Sequence, residues 1–137
     1  MWYTIKINHG TKYRFISKNK MSEFIRDPKK TYVVHFKNYD HDIYIGRPSK
    51  WANPYTHKDL EKTQAKYQVS TRQEAINGYV HYLNESGLIK DLEELRGKVL
   101  GCWCCKSPSD GSEKTLVCHG QVIAKILNYT SKQKPLL

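Results

Sequence analysis

Two short apolar segments, DIYIG at residues 42–46 and KVLGCWC at 98–104, restrict the fold of this chain more than any other feature. Each is strand-length and bounded by turn-forming or charged residues, so both read as β-strands. Roughly 50 residues lie between them, and that interval carries two helical patterns. The clearer is VSTRQEAINGYVHYLNESG, where Ser70 or Thr71 can cap the helix and Gln73 or Glu74 can complete a capping box. Ala75, Ile76, Tyr79, Val80 and Leu83 recur at helical spacing, and Gly87 stops the pattern. LIKDLEELRG follows as a second short helix. Strands joined through helices over such a distance form a right-handed crossover and run parallel. Both then end on one edge of a sheet, the edge where α/β folds bind ligands. The loops 47–55 and 102–119 are expected to share that rim.

Around this unit the chain reads as α/β. TYVVHF, rich in β-branched and aromatic residues, is another strand, and HGQVIAKILNY is a closing helix with Val122, Ile123, Ile126 and Leu127 on one face. WYTIKIN and KYRFIS alternate about a His-Gly turn and predict an antiparallel hairpin. KMSEFIRDPKK reads as a short helical turn between Ser22 and Pro28. The expected architecture is one domain with a small mixed sheet. Parallel core strands are flanked by helices, and the antiparallel N-terminal hairpin is added to them. Residues 1–30 form the basic hairpin extension, 31–129 the α/β domain, and 130–137 a flexible tail.

With 137 residues the chain is long enough for one ordinary core and short for two. No apolar run is long enough to span a bilayer, so no membrane partner is expected. The first residues lack the apolar segment of a secretion signal, and a cytoplasmic location follows as the expectation. In such a compartment disulfides seldom persist, so clustered cysteines point to metal, reactivity or packing. The net charge is +10 and uneven: residues 1–37 hold nine Lys and Arg against two acidic residues. Interleaved with Trp2, Tyr3, Tyr13, Phe15 and Tyr32, that segment can follow a phosphate backbone and stack on bases, which makes a nucleotide or nucleic acid the expected partner. The plain alternative is a solvated strand face, because net charge speaks to partners and not to sites.

Four blocks in order, YIGRPSKWANPY, TRQEAINGYVHYL, LRGKVLGCWC and CHGQVIAKILN, resemble an uncharacterised phage and bacterial family, domain of unknown function 4326. The resemblance covers roughly residues 31–129 and implies a fold and a site without an activity. Family members join C-W-C to C-H by a short spacer containing proline. This chain has a further cysteine, Cys105, and then KSPSDGSEKTLV, an insertion that alters the expected spacing of the thiols.

The candidate chemistry concentrates on the shared rim. Cys102, Cys104, Cys118 and His119 would make a Cys3His set for zinc, although structural zinc sites usually space paired ligands by two to four residues. Packed core thiols are the alternative, since free cysteine is among the most buried residue types. Cys118 opens the last helix, whose dipole lowers a thiol pKa, so Cys118 with His119 as its base is the candidate catalytic pair. The same helix N-terminus offers unpaired N–H groups to an anion. Arg47 can grip a phosphate or carboxylate, with Lys50 beside it, while Asn53 can bond a base or ribose and Trp51 can stack on it. The alternative for GRPSKWANP is a rigid loop with Trp51 plugging the core. Three functions follow as expectations: a domain binding or processing a nucleotide or nucleic-acid ligand at this rim, a cysteine-dependent enzyme on a nucleotide-derived substrate, and a zinc-stabilised interaction module.

Overall fold

A central strand of four wholly buried residues, Val99–Cys102, organises the domain in a computed structural model of the chain, which describes residues 2–6, 13–17 and 23–129. In chain order the strands are β1 (Trp2–Lys6), β2 (Tyr13–Ser17), β3 (Glu23–Arg26), β4 (Tyr32–His35), β5 (Ile43–Tyr44), β6 (Tyr55–Thr56), β7 (Tyr67–Gln68) and β8 (Val99–Cys102). The α-helices are α1 (Arg72–Glu85) and α2 (His119–Tyr129), and 3₁₀ segments span Leu60–Lys62 and Leu88–Leu95. β8 lies between β4 and β5 and is parallel to both, with Val33 opposite Leu100 and Tyr44 opposite Gly101. The crossover read from the sequence is therefore present, and the domain is α/β.

Helix α1 starts where the capping residues place it. Thr71 is the N-cap and its Oγ1 accepts from the Glu74 N–H at 3.1 Å, and Gly87 ends the helix at a φ of +76° that other residues rarely adopt. Its buried face, Ala75, Ile76, Tyr79 and Leu83, meets Val122, Ile123, Ile126 and Leu127 of α2 and the sheet residues Val33, Ile45 and Leu100. Burial of each such aliphatic side chain contributes about 1.5–3 kcal/mol. Gly120 sets how closely α2 approaches the sheet, because a Cβ there would lie 2.8 Å from Ile45 Cδ1 and as close to Val33. Gly120→Val is accordingly expected to destabilise by about 1–3 kcal/mol through overpacking, read as a lower urea midpoint.

The first thirty residues depart from expectation in one element. β1 and β2 pair antiparallel, Trp2 opposite Ser17, as the hairpin required. The turn between them and the tail 130–137 lie outside the described residues. The segment expected as a helical turn is instead β3, antiparallel to β2 with Phe15 opposite Phe24. As a strand the segment satisfies its backbone groups by pairing with β2. Phe24 packs on Tyr32 and Tyr39 at ring separations of 5.5 and 5.9 Å, and Arg26 donates to Gly97 O at 2.7 Å. The three antiparallel strands form a sheet of their own beside the parallel one.

The polar insertion after Cys105 is ordered and acts as a strap. Ser109 exchanges two backbone hydrogen bonds with Val33, at 2.8 and 3.0 Å. Asp110 accepts from the Tyr129 hydroxyl, and Asn128 donates to both Asp110 O and Thr31 O. These bonds fasten residues 107–113 to the outer edge of β4 and to α2. No helix among the described residues is long and apolar enough to cross a membrane.

Candidate functional site

Because β4, β5 and β8 run the same way, the residues just past their last positions gather on one edge. These are Phe36 after β4, Arg47 after β5, and Trp103 and Cys104 after β8. Backbone bonds hold the three exits together: Phe36 N–H donates to Cys102 O at 3.0 Å and Ile45 N–H to Gly101 O at 2.9 Å. Arg47 is half-buried here. Its Nη2 donates to Asn53 O and Tyr55 O at 3.0 and 3.3 Å, while its Nε is buried without a hydrogen-bond partner.

Three thiols meet beneath this edge. Cys118 is 1% exposed, contacts Cys102 sulfur to sulfur at 2.8 Å, and hydrogen-bonds Cys104 as well. Cys104 alone of the three is exposed. The hydrogen bond from Cys118, helped by the charges of Arg72, Lys58 and Arg47, holds the Cys104 thiol down at about 6 against the opposing effect of burial. Cys118 moves the other way: its bonds to Cys102 and Cys104, together with burial, keep it protonated well above the usual thiol range. Cys105 takes no part. It is buried with its sulfur on Ser107 O at 2.8 Å, and burial pushes it up to about 12.

Cys118 is thus the wrong thiol to begin an attack on a ligand, and its expected base, His119, bonds elsewhere. The ring of His119 turns to the sheet and its Nε2 donates to Ile45 O at 2.8 Å, under the edge of Tyr79. A carbonyl only accepts, so Nε2 carries the proton, and burial pushes His119 down to about 4. Among the described residues no three His, Cys, Asp or Glu side chains are placed to hold a metal ion. The Cys102, Cys104, Cys118 and His119 side chains expected for zinc are accordingly not brought together as one ligand set. The N-terminus of α2 is also filled from within: Gln121 Oε1 accepts from the Val117 and Cys118 N–H groups at 2.7 and 3.1 Å, and Cys118 sulfur accepts from Gly120 N–H at 3.3 Å. The anion site expected there is occupied by the protein's own side chains.

The neutral burial of His119 has a pH signature. An unfolded histidine titrates near 6.5, so between that value and about 4 the unfolded chain binds more protons than the folded one. The stability concerned is present above about pH 6.5 and is lost as the pH falls to about 4, on the order of 3 kcal/mol in all. Urea midpoints followed across this window are expected to fall for the wild type and to stay flatter for His119→Gln, whose amide can still donate to Ile45 O. Equal slopes would remove His119 as the cause.

The GRPSKWANP loop divides its expected ligand residues. Trp51 is 4% exposed and plugs the core, with its carbonyl accepting from the Tyr79 hydroxyl at 2.7 Å, so its ring is not available to stack on a ligand. Asn53 is turned inward: its Nδ2 donates to Ala75 O and its Oδ1 accepts from Tyr55 N–H. Lys50 stays exposed, over the Trp51 ring at 4.6 Å and paired with Glu94 at 3.3 Å. Arg47, Lys50, Gln64, Lys66 and Tyr82 line a shallow cleft of about 290 Å³ beside the loop.

What sequence reasoning missed is an aromatic platform. Trp103 is 53% exposed; it packs edge-on to Phe36 at 4.5 Å and donates its indole N–H to the Tyr44 hydroxyl at 2.8 Å. The Lys37 ammonium lies 4.6 Å from the ring centre. Reading KVLGCWC as a strand could not reveal it, because β8 ends at Cys102 and Trp103 lies in the bend beyond, where strand alternation does not apply. Lys58 and Arg72 gave no signal either, because one lies in a loop and the other in the first turn of α1, both far from Trp103 in sequence.

All of these residues fall within 29–129, the span matched by the family described as a domain of unknown function, DUF4326. The chain belongs to that family. Within it, similarity extends to an uncharacterized protein of Acanthamoeba polyphaga mimivirus, 31% identical over 101 residues that cover 66% of this chain and 70% of the viral one. An uncharacterized 12.4 kDa protein from the nrdA-td intergenic region of Enterobacteria phage T4 is 31% identical over 97 residues, 70% of this chain and 76% of the phage one. No solved structure matches. The DUF4326 match includes β4, β5, β8 and both α-helices and leaves β1, β2 and β3 outside.

Proposed function

We propose that this DUF4326 domain binds a nucleotide or a nucleic-acid end at the carboxyl edge of its parallel sheet, with the base on Trp103 and a phosphate among Arg47, Lys58 and Arg72. The observation that carries this reading is an exposed indole standing on an aromatic base at the strand exits, next to Cys104, on which those three cations act. Tyr44 steadies the platform: its hydroxyl accepts from the Trp103 indole N–H. A flat aromatic face receives any base, and a group of cations without a paired carboxylate receives a phosphate. A stacked base competes with Lys37 for the ring and frees that ammonium for the phosphate.

Titration with a panel of mononucleotides and short single strands, read by tryptophan fluorescence, tests the proposal. Stacking is worth about 1–3 kcal/mol per base, so Trp103→Ala is expected to weaken binding about 5- to 150-fold, and added salt to weaken it further. Binding that ignores both would overturn it. A second reading, a cysteine-dependent enzyme on the same ligand, now rests on Cys104, a thiolate at neutral pH beside the same cations. It predicts turnover of a bound nucleotide that Cys104→Ser abolishes while binding persists.

A further inference from the structure

Cys102, Cys104 and Cys118 place one exposed thiol against two buried ones, an arrangement that neither a binding site nor a packed core requires. Cys104 is exposed at the rim, Cys118 is buried against it, and Cys102, buried like Cys118, has its sulfur 2.8 Å from that of Cys118. Cys102 ends β8 and Cys104 lies in the bend just past it, and both reach the sulfur of Cys118. The N-terminal turn of α2 supplies Cys118 from the opposite side. Cys118 thus touches both the exposed sulfur of Cys104 and the buried one of Cys102.

We infer that the three thiols form a relay driven by hydroperoxide, in which Cys104 is oxidised first and the disulfide comes to rest on the buried Cys102–Cys118 pair. In the first step the Cys104 thiolate attacks one oxygen of hydrogen peroxide. The S–O bond forms, the O–O bond breaks, and hydroxide leaves, giving a sulfenic acid. The charges of Arg72, Lys58 and Arg47 act at this atom and favour the departing anion. In the second step Cys118 sulfur attacks Cys104 sulfur. The S–S bond forms, the S–O bond breaks, and the hydroxyl leaves as water with the Cys118 proton. In the third step Cys102 attacks Cys118, Cys104 departs as thiolate, and the Cys102 proton neutralises the hydroxide of the first step. Peroxide is reduced to two waters and two thiols are oxidised to one disulfide. Exchange proceeds toward expulsion of the thiol with the lowest pKa, and Cys104, at about 6, is that thiol. Cys105 is outside the relay, with its sulfur held on Ser107 O.

The experiment treats the reduced full chain with one equivalent of hydrogen peroxide, blocks remaining thiols with N-ethylmaleimide, and maps the peptides by mass. For the wild type the expected product is a Cys102–Cys118 disulfide with Cys104 alkylated. Cys102→Ser should stop the relay one step earlier, at Cys104–Cys118. Cys118→Ser should leave Cys104 as a sulfenic acid that dimedone traps. Cys104→Ser should slow disulfide formation by about 100-fold, the advantage of an exposed thiolate over buried thiols that peroxide reaches poorly. Because Cys104 is exposed, that variant keeps the test decisive even where a buried substitution disturbs folding. An unchanged rate in Cys104→Ser, a disulfide to Cys105, or direct passage of Cys104 to sulfinic acid would each overturn the relay. None of these outcomes depends on a nucleotide, so the relay and the binding proposal fail separately.

Discussion

Iodoacetamide at pH 7 will label Cys104 ahead of every other described thiol, and its rate will climb through about pH 6 and then level off. With its thiol at about 6, Cys104 is roughly 90% ionised at pH 7. Cys105, pushed up to about 12, is ionised to about one part in 10⁵. A thiolate of lower pKa is intrinsically less nucleophilic, and a Brønsted slope of about 0.4–0.5 over that difference returns about 10²·⁴ to 10³ of the advantage. Roughly a hundredfold remains before the burial of Cys105 widens it. Cys118→Ala removes the largest cause of the lowered value and Arg72→Ala the next charge, so both should move the step in the rate profile to higher pH. A Cys104 rate that keeps rising tenfold per pH unit to pH 9, or that fails to exceed that of Cys105, would show that these groups do not set its ionisation.

The second large effect concerns Asn53, a residue whose type suggests ligand binding and whose place makes it a latch. Asn53→Ala leaves the Ala75 carbonyl and the Tyr55 N–H without their buried partners. Each loss costs about 1–3 kcal/mol, so the variant is expected to lose about 2–5 kcal/mol in urea denaturation. Asn53→Asp should fare no better: it keeps the acceptor for Tyr55 and replaces the donor to Ala75 O with a charged oxygen facing a carbonyl. The damage extends to Arg47, whose Nη2 is held by the carbonyls of Asn53 and Tyr55. A stability change below about 0.5 kcal/mol, the range of an ordinary surface substitution, would return Asn53 to the list of ligand contacts.

These two residues show where the sequence is informative. Parallel pairing of Ile43 and Tyr44 with Leu100 and Gly101 was legible because two apolar runs with helices between them admit few topologies. The cap of α1 was legible because Thr71 and Glu74 interact across three residues. Long-range choices were not. Trp51 and Trp103 both lie at apolar loop positions, and only the packing of Tyr79 against the first decides that it is inside. The dipole rule pointed to Cys118, and it lost to Gln121, which closes the helix end, and to neighbours that favour ionisation of Cys104. The strap reads as a polar loop because its order comes from Val33, Asn128 and Tyr129, each distant in sequence.

The strap also bears on how copies of this chain behave at high concentration. β4 is an outer strand of the parallel sheet, and an uncovered outer strand invites a second molecule to add itself there. Ser109 spends both of its main-chain groups on Val33 and so occupies that position with the chain's own backbone. Deleting residues 106–117 would therefore be expected to increase self-association more than it lowers folding stability, with light scattering rising while the ellipticity of α1 and α2 persists.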